Sequence, residues 1–537
     1  MRASGRDMQD VVLVEESEAP LGAAGELTDS EAPSSCGPSA PSRARAGLTW
    51  LLRTRATWSL IAVGLAIVVA TSGAVTALHE RARMAALAGL PGILRPLDGP
   101  VTELWRVGSG TDTMYRNGLT GLGGRLLLTE NSMQGKTDVV ALDARTGEEA
   151  WRVQARPAQE PAADGTNSYG AGANCAFPRS EDAQQAPVVA CVVTDETTSV
   201  PVDGAGQMIV GTRAHLLVID ATTGAVVSQS PTDPTTTVAL LGPDLITGQI
   251  AADGRVRVTR SGARDVTLGW TFTSPDSVSN DAAGQRNVWV WASEGFVGVS
   301  AYGGMGADGR PLGGASWLLS HDGAVVRKQV AGPGDDYNSL GALREGSMFV
   351  EATTTATGAR ASVLTDAGSG KALTVEATPT GASPDDGSLG GTMLLMQSMT
   401  DGALLAYDLA TGQPRWTGAA AANGSGGGPP MVLDGRVVRS RSDGSSAVDI
   451  TSIDGNTGKT IWSTSVKSNQ AGALLTDGRL VLVSRTKSAT GAGAVITAYD
   501  LADGRQRWEV PIGEEQWLVD IDGRLFGVSG VSLVAYG

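Results

Sequence analysis

"AYDLATGQPRW", residues 406–416, sets an aspartate, a Thr-Gly three and four positions on, and a tryptophan at plus eight: Asp408, Thr411, Gly412 and Trp416. The spacing recurs as Asp143, Thr146, Gly147 and Trp151 in "ALDARTGEEAW", and as Asp454, Thr457, Gly458 and Trp462 in "SIDGNTGKTIW". "AYDLADGRQRW" carries Asp500, Asp503, Gly504 and Trp508, whereas "VIDATTGAVVS" carries Asp220, Thr223 and Gly224 but ends in Ser228. Apolar residues alternate into each aspartate, as along a half-buried strand. The carboxylate is placed to accept backbone N–H bonds from the residues that follow, and the glycine supplies the positive φ that closes the turn. Each copy therefore predicts a β-hairpin whose outgoing strand carries a tryptophan inward.

A second hairpin signal precedes several copies: "LDGRVV" from Leu433, "TDGRLVLV" from Thr476 and "IDGRLFGV" from Ile521. Two hairpins per unit make a four-stranded antiparallel sheet. The steps from Trp105 to Trp151, Trp416 to Trp462 and Trp462 to Trp508 are each 46 residues. Units of that length and make-up are propeller blades, which bury their faces only by stacking radially. The chain ends three strands into its last unit, while "TELWRV" around Trp105 copies "EEAWRV" around Trp151. The first strand after residue 100 is thus expected to complete the last blade, closing the ring and removing open edges. Eight whole units plus the split one can be drawn, but several middle boundaries lack a motif tryptophan. The expected architecture is an all-β propeller of eight blades, within a range of seven to nine.

The Asp-x-x-Thr-Gly turn with its plus-eight tryptophan resembles the tryptophan-docking repeats of the PQQ-like (quinoprotein alcohol dehydrogenase-like) β-propellers, over residues 101–537. That resemblance implies tryptophans wedged between blades, and so a structural role for Trp105, Trp151, Trp416, Trp462 and Trp508. Enzymes of the family hold pyrroloquinoline quinone with calcium, beside an adjacent Cys-Cys pair and a shell of Glu, Asn and Asp. The sequence has no Cys-Cys pair and no haem-attachment Cys-x-x-Cys-His.

Residues 57–78 form an uncharged apolar run of about the 20 residues that span a bilayer as a helix. Arg43, Arg45, Arg53 and Arg55 precede it, which places residues 1–56 in the cytoplasm; a cleaved signal peptide is the rival reading. The opening residues, acidic and rich in Ser, Pro, Ala and Gly, read as a disordered tail, and residues 79–100 as a stalk. Cys175 and Cys191 fall in the exported part, where a disulfide persists. If paired, they close a loop of about 15 residues, worth roughly 3 kcal/mol.

The 537 residues carry a formal charge of −15, which argues against a nucleic-acid partner. No P-loop or His-Glu-x-x-His is present, and "GLTGLGGR" at 118–125 reads as a turn between strands. His215 and His321 read as structural. The acidic pairs Asp335/Asp336, Asp385/Asp386 and Asp520/Asp522 read as turn formers, with calcium or sugar binding the alternative. The expectation is a single-pass, membrane-anchored extracytoplasmic propeller that binds an envelope protein or cell-wall ligand, with no catalytic residue, metal or cofactor. The rivals are a dehydrogenase using pyrroloquinoline quinone with calcium, and a carbohydrate-active propeller enzyme.

Overall fold

The computed structural model describes residues 78–108, 113–132, 134–158, 172–179, 185–202, 206–278, 287–293, 295–302, 313–331, 340–343, 348–354, 360–390, 393–398, 401–418, 428–442, 447–467, 474–486, 494–512, 517–529 and 532–537. It falls into two units, residues 1–79 and 80–537. Residues 1–56, expected to be a cytoplasmic tail, and all but the last residue of the apolar run 57–78 lie outside the described residues. Among the residues that are described, no helix is long and apolar enough to cross a membrane.

Unit two contains nine four-stranded antiparallel sheets among its described residues, eight of them with strands in sequence order. Eight are continuous, spanning residues 113–156, 173–232, 237–277, 287–331, 340–375, 377–417, 431–467 and 474–511. We number these blades 1 to 8. Blade 9 is split: its three inner strands lie within residues 517–536, and its outer strand is Glu103–Gly108. That strand pairs antiparallel with Ser532–Tyr536, from Glu103 opposite Tyr536 to Gly108 opposite Ser532. Thr102 and Gly537 extend the pairing with reciprocal backbone bonds of 2.8 and 3.0 Å. Closure from the two ends of the chain is as expected, and the blade count is nine, within the expected range of seven to nine and one above the favoured eight.

Blade 5, residues 340–375, is one of the middle units whose boundaries carry no motif tryptophan. Leu340, Phe349 and Leu318 bury its junction with blade 4, and Met348, Leu364, Leu394 and Met396 its junction with blade 6. Nine buried clusters account for nine junctions, each joining successive blades, and the ninth joins Trp105 and Phe526 of blade 9 to Leu126 and Val140 of blade 1. Strand periodicity makes this possible, since alternate residues of one strand serve the two neighbouring junctions. Val437 packs toward blade 6 and Val438 toward blade 8.

The ring has two unlike faces. Turns between first and second strands, and the Asp-x-x-Thr-Gly turns, share one face, here the turn face. Connections between blades and between second and third strands share the other, the connection face. Residues 80–100, all but the first residue of the stretch 79–100 read from sequence as a stalk, are bonded along the turn face of blades 7 to 9. Residues 80–87 are helical, and Met84 and Leu87 are buried with Met431, Leu433 and Leu474. Arg83 donates to Asp434 at 2.8 Å and to the Gly478 carbonyl at 2.6 Å. Leu94 N–H donates to Thr476 O, and Arg95 N–H to Gly523 O, both at 2.8 Å. The reason lies in Met84, Leu87, Leu90, Ile93 and Leu94, whose apolar surface gains more from burial than from exposure.

Candidate binding surfaces

The repeat residues are used up in holding blades together. Asp143 Oδ1 accepts the N–H groups of Arg145 and Thr146 at 2.8 and 3.0 Å. Asp220, Asp408 and Asp454 do the same for the residues two and three positions on, and Asp500 accepts from Ala502. These backbone bonds hold the Asp143 and Asp408 carboxyls below the usual range, and the Thr457 hydroxyl does so first for Asp454. Gly147, Gly224, Gly412, Gly458 and Gly504 follow at φ of 70 to 75°.

Glycine is required there twice over. A Cβ at Gly458 would lie 2.6 Å from Trp416 of the preceding blade, and one at Gly504 2.6 Å from Trp462. Gly147 meets Trp105 at 2.7 Å, and Gly224 meets Trp151 at 2.8 Å. Each tryptophan thus packs against the next blade's turn. Trp416 and Trp462 also donate Nε1–H to the carbonyls of Gly455 and Leu501, at 2.7 and 2.9 Å. Trp270, absent from the motif set, repeats the arrangement on Gly323 and the His321 carbonyl. Trp508 packs instead into the cluster of Leu94, Val101 and Tyr536.

The irregular members follow the same physics. Ser228 has no ring to lay on blade 3, and the corresponding turn residue there is Val266, at φ 58° and 68% exposed. In blade 5 the docking residue is Leu373, 3.2 Å from a Cβ at Gly412.

Of the other flagged residues, His215 Nδ1 lies 2.8 Å from Asp195, and the His321 carbonyl accepts from Trp270 and Arg260. Asp385 and Asp386 accept backbone N–H bonds of their own turn, and Asp386 also that of Asp434. Asp335 and Asp336 lie outside the described residues. No group of three or more metal-ligating side chains occurs among the described residues. Asp520 sits under residues 88–96 in a cavity of about 560 Å³, which Asp522 and Gly523 also line. Burial raises its carboxyl to about 6, partly offset by the Gly92 N–H, and Oδ1 has no hydrogen-bond partner.

Two features remain that ring closure does not need. Trp517 and Trp289 lie on innermost strands of blades 9 and 4, and are 67% and 57% exposed. The other is an arm. In blade 2 the second and third strands, Val188–Val202 and Gly206–Asp220, run 15 residues each and stay paired up to Val202 opposite Gly206. Beyond Thr194 they leave the blade on the connection face, and of the side chains described there, those of residues 195–198 and 210–213, none joins a buried cluster. At its base Cys175 and Cys191 are disulfide-bonded across directly opposed strand positions. The enlarged cysteine interval was visible in sequence, and "VPVDGAGQMIV" carries an Asp-Gly between β-rich runs, the signal that announces this hairpin.

Residues 344–536 match the PQQ-like repeat family model described as outer membrane protein assembly factor BamB. No curated protein matches in sequence. Among solved structures, BamB from Moraxella catarrhalis is similar at TM-score 0.38 and 13% identity, covering 81% of this chain and 99% of that one. The quinohemoprotein alcohol dehydrogenase ADHIIG from Pseudomonas putida HK5 gives 0.40 and 14%, covering 85% and 81%. A europium-containing methanol dehydrogenase gives 0.39 and 12%, covering 84% and 99%.

Proposed function

From a propeller whose residues 344–536 match a PQQ-like repeat family, we propose that this chain is a binding and scaffold module of the cell envelope. Its anchor is the apolar run 57–78, with the propeller outside the cytoplasm and no chemistry of its own. The observation that carries the reading is the blade 2 arm. A two-stranded ribbon gains little stability alone, and the described side chains of residues 195–198 and 210–213 join no buried cluster of the ring, so ordering the ribbon costs conformational entropy that the ring's core does not offset. A partner that covers the ribbon supplies what the ring does not. The disulfide and the His215–Asp195 contact at the base stiffen it, which lowers the entropy lost on binding. Residues 80–100 occupy the turn face of blades 7 to 9, whereas the arm stands on the connection face. The description of the matched family, a membrane protein assembly factor, supports an envelope protein as the partner.

The test uses the full-length protein in native membranes, with a photo-crosslinker in place of exposed Thr198. Crosslinked partners identified by mass spectrometry are expected. They should vanish when residues 197–211 are replaced by Asn-Gly, while the tryptophan fluorescence of the ring is unchanged. An unaltered crosslinking pattern with the arm removed and a probe moved to Thr212 would overturn the arm's role. Dye reduction by alcohols or sugars after addition of pyrroloquinoline quinone and calcium would overturn the non-catalytic reading.

A further inference from the structure

The junction of blades 6 and 7 opens into a cavity of about 430 Å³ toward the connection face. Its origin is legible in the chain. The inner strand of blade 7 is only Met431–Leu433, and Met431 pairs with Val438. Pro429 and Pro430 precede it, and proline has no N–H to continue the ladder. The neighbouring strand Arg436–Ser442 therefore runs on past the end of its inner partner. Arg439 and Arg441 are the residues beyond that point on the side of Val437, which faces blade 6.

What faces them is mixed. Leu404 and Gln397 come from blade 6, on the same side as Leu395 of the buried junction, and Pro429 and Pro430 form a further wall. No carboxylate is among the described residues that line the cavity. Arg441 is held by Asp449, on its own hairpin, at 3.1 Å. Burial, and then the charge of Arg441, lower the proton affinity of the Arg439 guanidinium.

We propose that this cavity is a binding site for a small organic oxyanion. Its charged head pairs with Arg439, and its apolar body lies against Leu404 and the two prolines. The volume falls within the range of small-molecule pockets, about 300–1,000 Å³, and the mostly apolar wall with few directed polar groups is their usual make-up. A guanidinium matches carboxylate and phosphate oxygens in a fork geometry, and an anion placed there also screens the repulsion between the two arginines. The site is independent of the arm and of any protein partner.

The experiment titrates the full-length protein in detergent with phenyl phosphate and benzoate by calorimetry. Benzamide is the neutral control, and inorganic phosphate the control without an apolar body. At least one aromatic anion is expected to bind, and at least tenfold more tightly than benzamide and inorganic phosphate. Arg439→Met should weaken it at least tenfold, with Arg439→Lys between the two and circular dichroism confirming the fold. No binding by either aromatic anion overturns the proposal, as does equal binding of benzamide or equal affinity in folded Arg439→Met. If Arg439→Met does not fold, the comparison of charged and neutral probes on the unaltered protein decides alone. Tighter binding of phenyl phosphate than benzoate assigns a phosphate head, and the reverse a carboxylate.

Discussion

Replacing Gly458 by alanine tests the docking geometry at its tightest point. The residue sits at φ 72°, and the new Cβ would meet Trp416 Cβ and Cγ at 2.6 Å and Cδ2 at 2.9 Å. An L-residue in the left-handed region costs about 1–2 kcal/mol, and loss of glycine's unfolded freedom returns about 0.4–1 kcal/mol. The steric part is larger, because Trp416 is 7% exposed and its N–H is tied to Gly455 O at 2.7 Å, so the indole has nowhere to swing. Overpacking of that kind costs about 1–3 kcal/mol, which brings the total to roughly 2–4 kcal/mol. With unfolding entropy of about 2.1 cal/mol/K per residue, a propeller of this size melting as one unit would lose roughly 2–4 °C. The internal control is Gly435→Ala: it has φ 70° but nothing within 4 Å of its Cβ, so only the backbone strain applies. Melting curves by circular dichroism under identical conditions compare the two. Equal shifts for Gly458→Ala and Gly435→Ala would refute the claim that the glycine makes room for the preceding blade's indole.

Val266→Gly should move stability the other way, by about 0.5–1 kcal/mol, since it relieves a β-branched residue at φ 58° that no indole covers; a lower melting temperature would contradict this. The raised carboxyl of Asp520 means the folded state binds its proton more tightly than the unfolded chain, so its contribution to stability falls as pH rises from about 4 to 6 and is flat above. Asp520→Asn removes that slope and should gain about 1–2 kcal/mol at pH 7.5 after discounting for solvent screening, read as the difference between paired pH-dependent melts. Converting both Cys175 and Cys191 to alanine should cost about 3 kcal/mol, and a reducing agent should produce the same loss in the unaltered protein but none in the variant.

The motif blades were legible because one short pattern encodes turn, positive φ and docking ring together, so Asp143 to Trp151 and Asp408 onward announce themselves. Blade 5 was legible only weakly, because Leu373 does the work of a tryptophan there, and a leucine in a strand has no distinguishing pattern. The bonded path of residues 80–100 left a fainter trace in the spacing of Met84, Leu87 and Leu90, outweighed by the prolines at 91 and 96. The Arg439 cavity was beyond reading in one dimension. It exists because Pro429 stops one strand while Gln397 and Leu404, a blade away, come to face the residues left uncovered.

The path of residues 80–100 has a mechanical consequence. Tension applied at residue 80 meets the Arg83–Asp434 and Glu80–Arg479 ion pairs and the buried Met84 and Leu87 before it reaches the strand Glu103–Gly108. Those contacts are spread over blades 7 and 8 and must slip together, whereas a terminal strand pulled from one end would peel bond by bond. A ring pulled through residue 80 resists being unzipped at its own seam.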